Sequence, residues 1–195
     1  MRAEALPADC ARRDEVRRLV VGAAECLGGL DVLVNNVGEF AFKRLRDHGD
    51  DDFERIMAGT VGATFYATMA ALPYMRRGRF GRVVNLGAAG ADTAMGVRRE
   101  GVHLAGKSGV VSLTRTFALE EARGGITFNV VSPGIVEDRE LSRESASGLR
   151  DPGNPVGRPG TSADVVDAVL FLCRRESSFI NGSVIAVTGG WQGIF

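Results

Sequence analysis

His103 and Lys107 stand four residues apart in GVHLAGKSG (101–109), at the head of an apolar run. If the run is a helix, they share one face. An imidazole beside an ammonium can do proton chemistry. Its ordinary pKa is about 6.5, and a neighbouring cation pushes it lower, so at neutral pH the ring is a base and a poor acid. The bland alternative is a helix-start histidine and a surface lysine. Other polar residues have plain readings: Asn35 and Asn36 end a strand, Asn129 bonds backbone, and Trp191 packs near the C-terminus or against a second subunit. Arg98 and Arg99 are either solvated charges or a grip on an anionic acyl carrier.

The elements that must position this pair alternate between two periods. Residues 12–27 place Val16, Leu19, Val20, Ala23 and Leu27 on one helical stripe. DVLVNN (31–36) and RVVNLG (82–87) are short apolar runs of the kind buried on both faces of a parallel sheet. Between them a helix opens at Asp50–Asp52 and continues to Met75, with Pro73 a possible kink. A helix spans 102–121, a third strand 126–134, and a last strand 183–190. Residues 138–160 form a polar loop with room for one short helix, and TSADVVDAVLFLCRR (161–175) is a helix capped by Thr161 or Ser162. Strands alternating with helices imply one α/β domain of three layers around a parallel sheet.

Composition narrows the function. The 195 residues have zero net charge, with acids and bases mixed, which gives no footprint for nucleic acid or an anionic membrane. Cys10, Cys26 and Cys173 are widely spaced, in no metal pattern, and read as reduced thiols of a cytoplasmic protein. No run reads as a membrane span or a secretory signal.

The order NNVG (35–38), VVNLG (83–87), HLAGKSGVVSLTRTFALE (103–120), GITFNVVSPGIVED (125–138), PVGRPGTSADVV (155–166) and INGSVIAVTGGW (180–191) resembles the short-chain dehydrogenase/reductase family, in particular its beta-ketoacyl carrier-protein reductases. The resemblance implies a Rossmann-like sheet binding NAD or NADP at the carboxyl ends of its strands, and hydride transfer between cofactor and a carbonyl or hydroxyl substrate. By the same resemblance Asp9, Asn36, Gly38, Lys107, Pro133, Gly134 and Val136 fall on cofactor-binding positions, and 138–160 is the substrate loop. The long helix, 102–121, is the family's pairing helix, so a homodimer or tetramer is expected, with small Ala105, Gly106, Ser108 and Gly109 permitting close approach.

The departures from the family are as informative. No two glycines are spaced by two, so the G-x-G-x-x-G phosphate turn does not occur in these residues. The series begins at ALPAD (5–9), where the family has its third strand, so the expected fold lacks the first two strand–helix units and leaves DVLVNN as an apolar edge. Of the catalytic Asn-Ser-Tyr-Lys group, Thr60 falls on Asn, Ala88 on Ser and His103 on Tyr; Lys107 alone matches. Thr93 is a hydroxyl in the following loop that could stand in for the serine. Asp138 replaces a threonine that contacts the cofactor, which sets a carboxylate where a diphosphate would lie. Two readings follow: an impaired NAD(P)-dependent oxidoreductase, or a non-catalytic pseudoenzyme serving as subunit, scaffold or binding module.

Overall fold

A computed structural model describes residues 3–138 and 141–191, with only the backbone of Glu137 and Asp138. Four parallel strands, β1 (Val32–Asn35), β2 (Gly81–Leu86), β3 (Ile126–Pro133) and β6 (Val184–Val187), lie in the order β1-β2-β3-β6. Helices α1 (Arg13–Leu27), α3 (Ala63–Gly78) and α4 (Gly101–Glu121) cover one face. Helix α6 (Ser162–Cys173) covers the other. The period-2 alternation of β3 sorts its side chains: Phe128 joins Val83, Leu72 and Phe117, while Val131 meets Val84 and Leu172 on the α6 side. The three-layer arrangement is the one expected.

ALPAD departs from expectation. Residues 5–9 form no strand; Asp9 instead builds the entry to α1, its carboxylate accepting from the Ala11 N–H (3.0 Å) and its own N–H donating to Glu15 (2.9 Å). Asp9 is therefore a turn residue here, with bonds that keep it at the start of α1. β1 has no outer neighbour among the described residues, and Val32 and Val34 on it are 38% and 43% exposed, as an apolar edge requires. The α1 stripe holds at Val16 and Val20, but Leu27 lies outside, because Gly28 has already turned the chain away at φ 78°.

One continuous helix runs from Asp50 to Gly78: α2 (Asp50–Met57), a π turn (Ala58–Gly62) and α3. Pro73 does not end it. By length and composition this helix could cross a membrane (mean hydropathy 1.2), contrary to the sequence reading, but half of that window is buried within this domain.

The polar loop carries the short helix allowed for it, α5 (Arg143–Ser147), between β4 (Val136–Asp138) and β5 (Gly160–Thr161), which pair with each other. Asp164 ties this region to α6. It accepts both guanidinium N–H groups of Arg158 (2.8 and 2.9 Å) and closes a capping box with Thr161. The Arg158 hydrogen bond, first, holds its carboxyl well below the usual range. That contribution to stability is present above the ordinary carboxylate pKa and is lost as pH falls below it. Asp164→Ala is expected to lower stability by about 1–2 kcal/mol at pH 7, the cost of a lost cap and a partly exposed bidentate pair. A urea titration would register it; an unchanged midpoint would show that the ties contribute nothing.

Candidate active site

The carboxyl ends of β1 and β2 converge on the π turn and the first turn of α4. Asn35 and Asn85 face each other in register, and Asn35 Nδ2 donates to Asn85 Oδ1 (2.8 Å). Asn85 in turn donates to Thr114 on α4 (2.8 Å). This polar ladder fixes the sheet against α4, so Asn35 serves structure. Asn129 does the same, donating to the Ile180 carbonyl and accepting from the Ser183 N–H.

Beyond the ladder lies Lys107, only 5% exposed. Its Nζ donates to the Leu86 carbonyl (2.7 Å), and burial pulls its pKa down from 10.5 to about 8. Gly38 passes directly over it: a Cβ there would sit 2.9 Å from Nζ and 3.8 Å from Thr60 Oγ1. Thr60, fully buried in the π turn, accepts the Glu39 N–H at its hydroxyl (3.3 Å) and the Thr64 hydroxyl at its carbonyl (2.9 Å). π turns often mark functional sites, and this one seats Thr60 opposite Lys107.

His103 sits half-buried at the rim, edge-on to Phe40 (5.0 Å between centroids). Its Nδ1 lies 2.9 Å from the Glu39 carbonyl. A carbonyl oxygen only accepts, so Nδ1 carries the hydrogen and the neutral ring keeps its lone pair on Nε2. The His103 pKa is lowered first by burial, opposed by the Glu39 hydrogen bond, with Lys107 a smaller lowering influence. The direction is the one expected; the leading cause, burial, is not.

Ala88 is half-buried against Leu104, Val111 and Val130, so an apolar side chain occupies the serine position. Thr93 does not replace it: it is exposed and bonds the Gly90 carbonyl within its own turn (3.2 Å). The residue that sequence reasoning missed is Glu39. Its N–H meets Thr60, its carbonyl meets His103, and its carboxylate pairs with Arg55 across Gly59. Its position one residue past NNVG, opposite a glycine, was a signal only once the two loops were known to touch.

The expected cofactor contacts separate into two groups. Lys107 and Gly38 pack directly against each other, with Lys107 Nζ already donating to the Leu86 carbonyl. Pro133 accepts the Ala89 N–H at its carbonyl (3.2 Å), and Gly134 is held against Thr188. Val136 opens β4 and pairs with Gly160. Asn36 is exposed and lines a cavity of about 130 Å3 with Cys10 and Leu33, well under the roughly 300 Å3 at which ligand pockets begin. The first turn of α1 does not fit a diphosphate: it is filled by Asp14 and Glu15, and Glu15 bonds back to Asp9. The Asp138 side chain lies outside the described residues. The 195-residue chain is accordingly expected to bind NADH and NADPH only at about millimolar Kd, equivalent to about 4 kcal/mol. Calorimetric titration checks this, and micromolar affinity would reveal a phosphate site elsewhere in the chain.

Gly106 and Gly109 do not wait for another helix. Their missing side chains admit Thr60 and Val61 of the π turn, at 3.3 and 3.0 Å from where a Cβ would lie. Ser108 donates to Ala91 (2.8 Å), and Val110, Val111, Phe117 and Ala118 are buried in this chain's own core. What α4 leaves outward includes Ala105 and Leu119.

A family model described as Enoyl-(Acyl carrier protein) reductase matches residues 1–192. A Bacillus subtilis protein provisionally named an oxidoreductase is 38% identical over 187 residues, 93% of this chain and 73% of the relative. A Xanthobacter autotrophicus protein named inactive 2-(S)-hydroxypropyl-CoM dehydrogenase 2 is 35% identical over 195 residues, 96% of this chain and 84% of the relative. Among solved structures, a Bacillus thuringiensis protein provisionally assigned as a 3-oxoacyl-reductase superposes with a TM-score of 0.88 at 37% identity, over 95% of this chain and 76% of its own.

Proposed function

This chain belongs to the short-chain dehydrogenase/reductase family, and from that premise we propose that it is a nicotinamide-dependent oxidoreductase working in the alcohol-oxidising direction on a small molecule, at a rate far below that of a complete site. The observation that carries the reading is the Nδ1–H of His103 held by the Glu39 carbonyl, which leaves Nε2 as a base. His103 takes the hydroxyl proton of the alcohol at Nε2. A bound nicotinamide supplies the hydride acceptor. Lys107, charged below about pH 8, holds ribose hydroxyls, while burial, with a smaller push from the Lys107 charge, keeps the imidazole neutral. Ala88 gives the substrate oxygen no hydrogen bond, and one such donor is worth about 10²–10³ in rate. The loss accounts for the impairment.

The test is oxidation of an alcohol panel with millimolar NAD and NADP. Slow turnover that falls at least tenfold in His103→Gln, and that declines with acid only below the ordinary histidine range, supports the reading. Turnover equal in wild type and His103→Gln overturns it. A complete lack of turnover favours the pseudoenzyme reading, which draws on the name of the Xanthobacter relative and on the backbone carbonyls that already occupy both Lys107 and His103. We also place the chain in the cytoplasm, since its three cysteines are unpaired thiols. A homodimer or tetramer through helix 102–121 would cover Leu119, which is 84% exposed. Light scattering at micromolar concentration should give at least twice the monomer mass; monomer mass would remove the assembly.

A further inference from the structure

The rim outside His103 is organised in one direction. Phe40 lies edge-on to His103 (5.0 Å), Phe42 lies against Phe40 at 6.4 Å and 24°, and the Arg99 guanidinium lies 5.4 Å from the centre of Phe42. Phe40 and Phe42 are 55% and 57% exposed, so this aromatic ribbon faces solvent. It runs beside a cleft of about 600 Å3 lined by Arg44, Leu45, Val97, Arg98 and Arg99 and closed at the α4 end by Gly101. Gly101 is pressed against Leu45: a Cβ would come within 2.8 Å of it. The backbone locks the two sides together, with the Lys43 N–H donating to the Arg99 carbonyl (3.0 Å).

The charge in this cleft is one-sided. Among the described residues, Arg44, Arg98 and Arg99 form no ion pair with a carboxylate, while Lys43 and Arg55 beside them are neutralised by Asp52 and Glu39. Three unpaired guanidiniums around a cleft of ligand size, joined by an apolar strip to a base, describe a ligand with an anionic end and an apolar body.

We propose that the substrate of this site is a small hydroxy or oxo compound with an apolar body and a terminal carboxylate, sulfonate or phosphate, its reacting carbon beside His103 and its anion among Arg44, Arg98 and Arg99. The assignment of the reacting end rests on His103 being the base; the anion site does not, and the two are tested separately. The probes are octanoate, octanesulfonate and the neutral octanol, titrated calorimetrically into the full chain. Variants are Arg98→Ala combined with Arg99→Gly, the glycine keeping the left-handed backbone of Arg99 (φ 67°), and His103→Gln as the reacting-end control. The anionic probes should bind at least tenfold more tightly than octanol and lose that advantage in the arginine variant and in 0.5 M salt, while His103→Gln leaves it intact. Equal binding of octanol and octanoate, or an arginine variant that binds octanoate as wild type does, overturns the proposal. So does binding of an acidic carrier protein with none of the small anions. Thermal melts confirm that the surface variants fold. If anion binding holds but His103→Gln oxidises alcohols at the wild-type rate, the catalytic reading fails and the anion site stands.

Discussion

Lys107→Met should make the protein more stable at pH 7, by about 2 kcal/mol, or a rise in Tm of roughly 4–8 °C for a chain of this size. The lysine is 5% exposed and its pKa is drawn down from 10.5 to about 8 by burial. At about 1.4 kcal/mol for each tenfold change in acidity, holding that charge inside costs about 3 kcal/mol. Methionine removes the cost and fills similar space, but it strands the Leu86 carbonyl, at roughly 1 kcal/mol. The sign against pH is fixed by proton counting. Between about pH 8 and 10.5 the unfolded chain holds a proton that the folded chain has released, so the wild type gains stability as pH rises through that window. The advantage of the variant must therefore shrink from pH 8 upward and be gone, or reversed, above 10.5. Chemical denaturation of both proteins at pH 7 and pH 10.5 decides it. A variant that is less stable at pH 7, or a difference that ignores pH, would mean that the ammonium is compensated inside the fold. A residue kept at such a cost is doing something other than stabilising, which agrees with the ligand-binding role proposed for it.

That cost was invisible in the sequence, whereas the frame around it was not. The two central strands read correctly because a strand buried on both faces is continuously apolar, and VVNL and ITFNVV leave little else to choose. Thr161 and Asp164 announced the start of α6 by a spacing that only a capping box needs. ALPAD misled, because a short apolar stretch with proline is strand-like only when a neighbouring strand receives it, and none is present among the described residues. The small residues of α4 had a nearer use than a second helix: Gly106 and Gly109 admit the π turn of the same chain. His103 and Lys107 do share a helix, yet their acidity is set first by burial, and they are held by two carbonyls, of Glu39 and Leu86, on other elements of the fold. No periodicity encodes such a contact.

His103→Tyr together with Ala88→Ser should give the chain a carbonyl-reducing activity that the parent lacks. A phenol titrates near about 10, and a cation beside it lowers that value while leaving the hydroxyl protonated at neutral pH, so the ring becomes a proton donor. The present imidazole cannot fill that role, because burial and Lys107 hold it neutral and its one N–H is spent on the Glu39 carbonyl. A serine at 88 adds a hydroxyl on the edge of a half-buried apolar cluster, where the existing side chain already packs against Leu104 and Val130, so the added oxygen displaces little. A positioned acid is worth about 10²–10⁴ in rate and one hydrogen bond to the developing oxyanion about 10²–10³. The two act on the same oxygen and will not add fully, so a combined gain of at least about 100-fold over the parent is the conservative expectation. The assay is consumption of millimolar NADPH or NADH against short ketones, with cofactor raised to offset weak binding. Reduction should fall as pH climbs and the phenol ionises, opposite to the acid-side decline expected of the oxidation proposed for the parent. If the double variant gains nothing while the folded state and the millimolar cofactor affinity are intact, then the missing hydroxyls are not what limits this site. The limit would then lie in where the substrate oxygen sits relative to Lys107 and Gly38, and the whole assignment of His103 to the reacting end would have to be withdrawn.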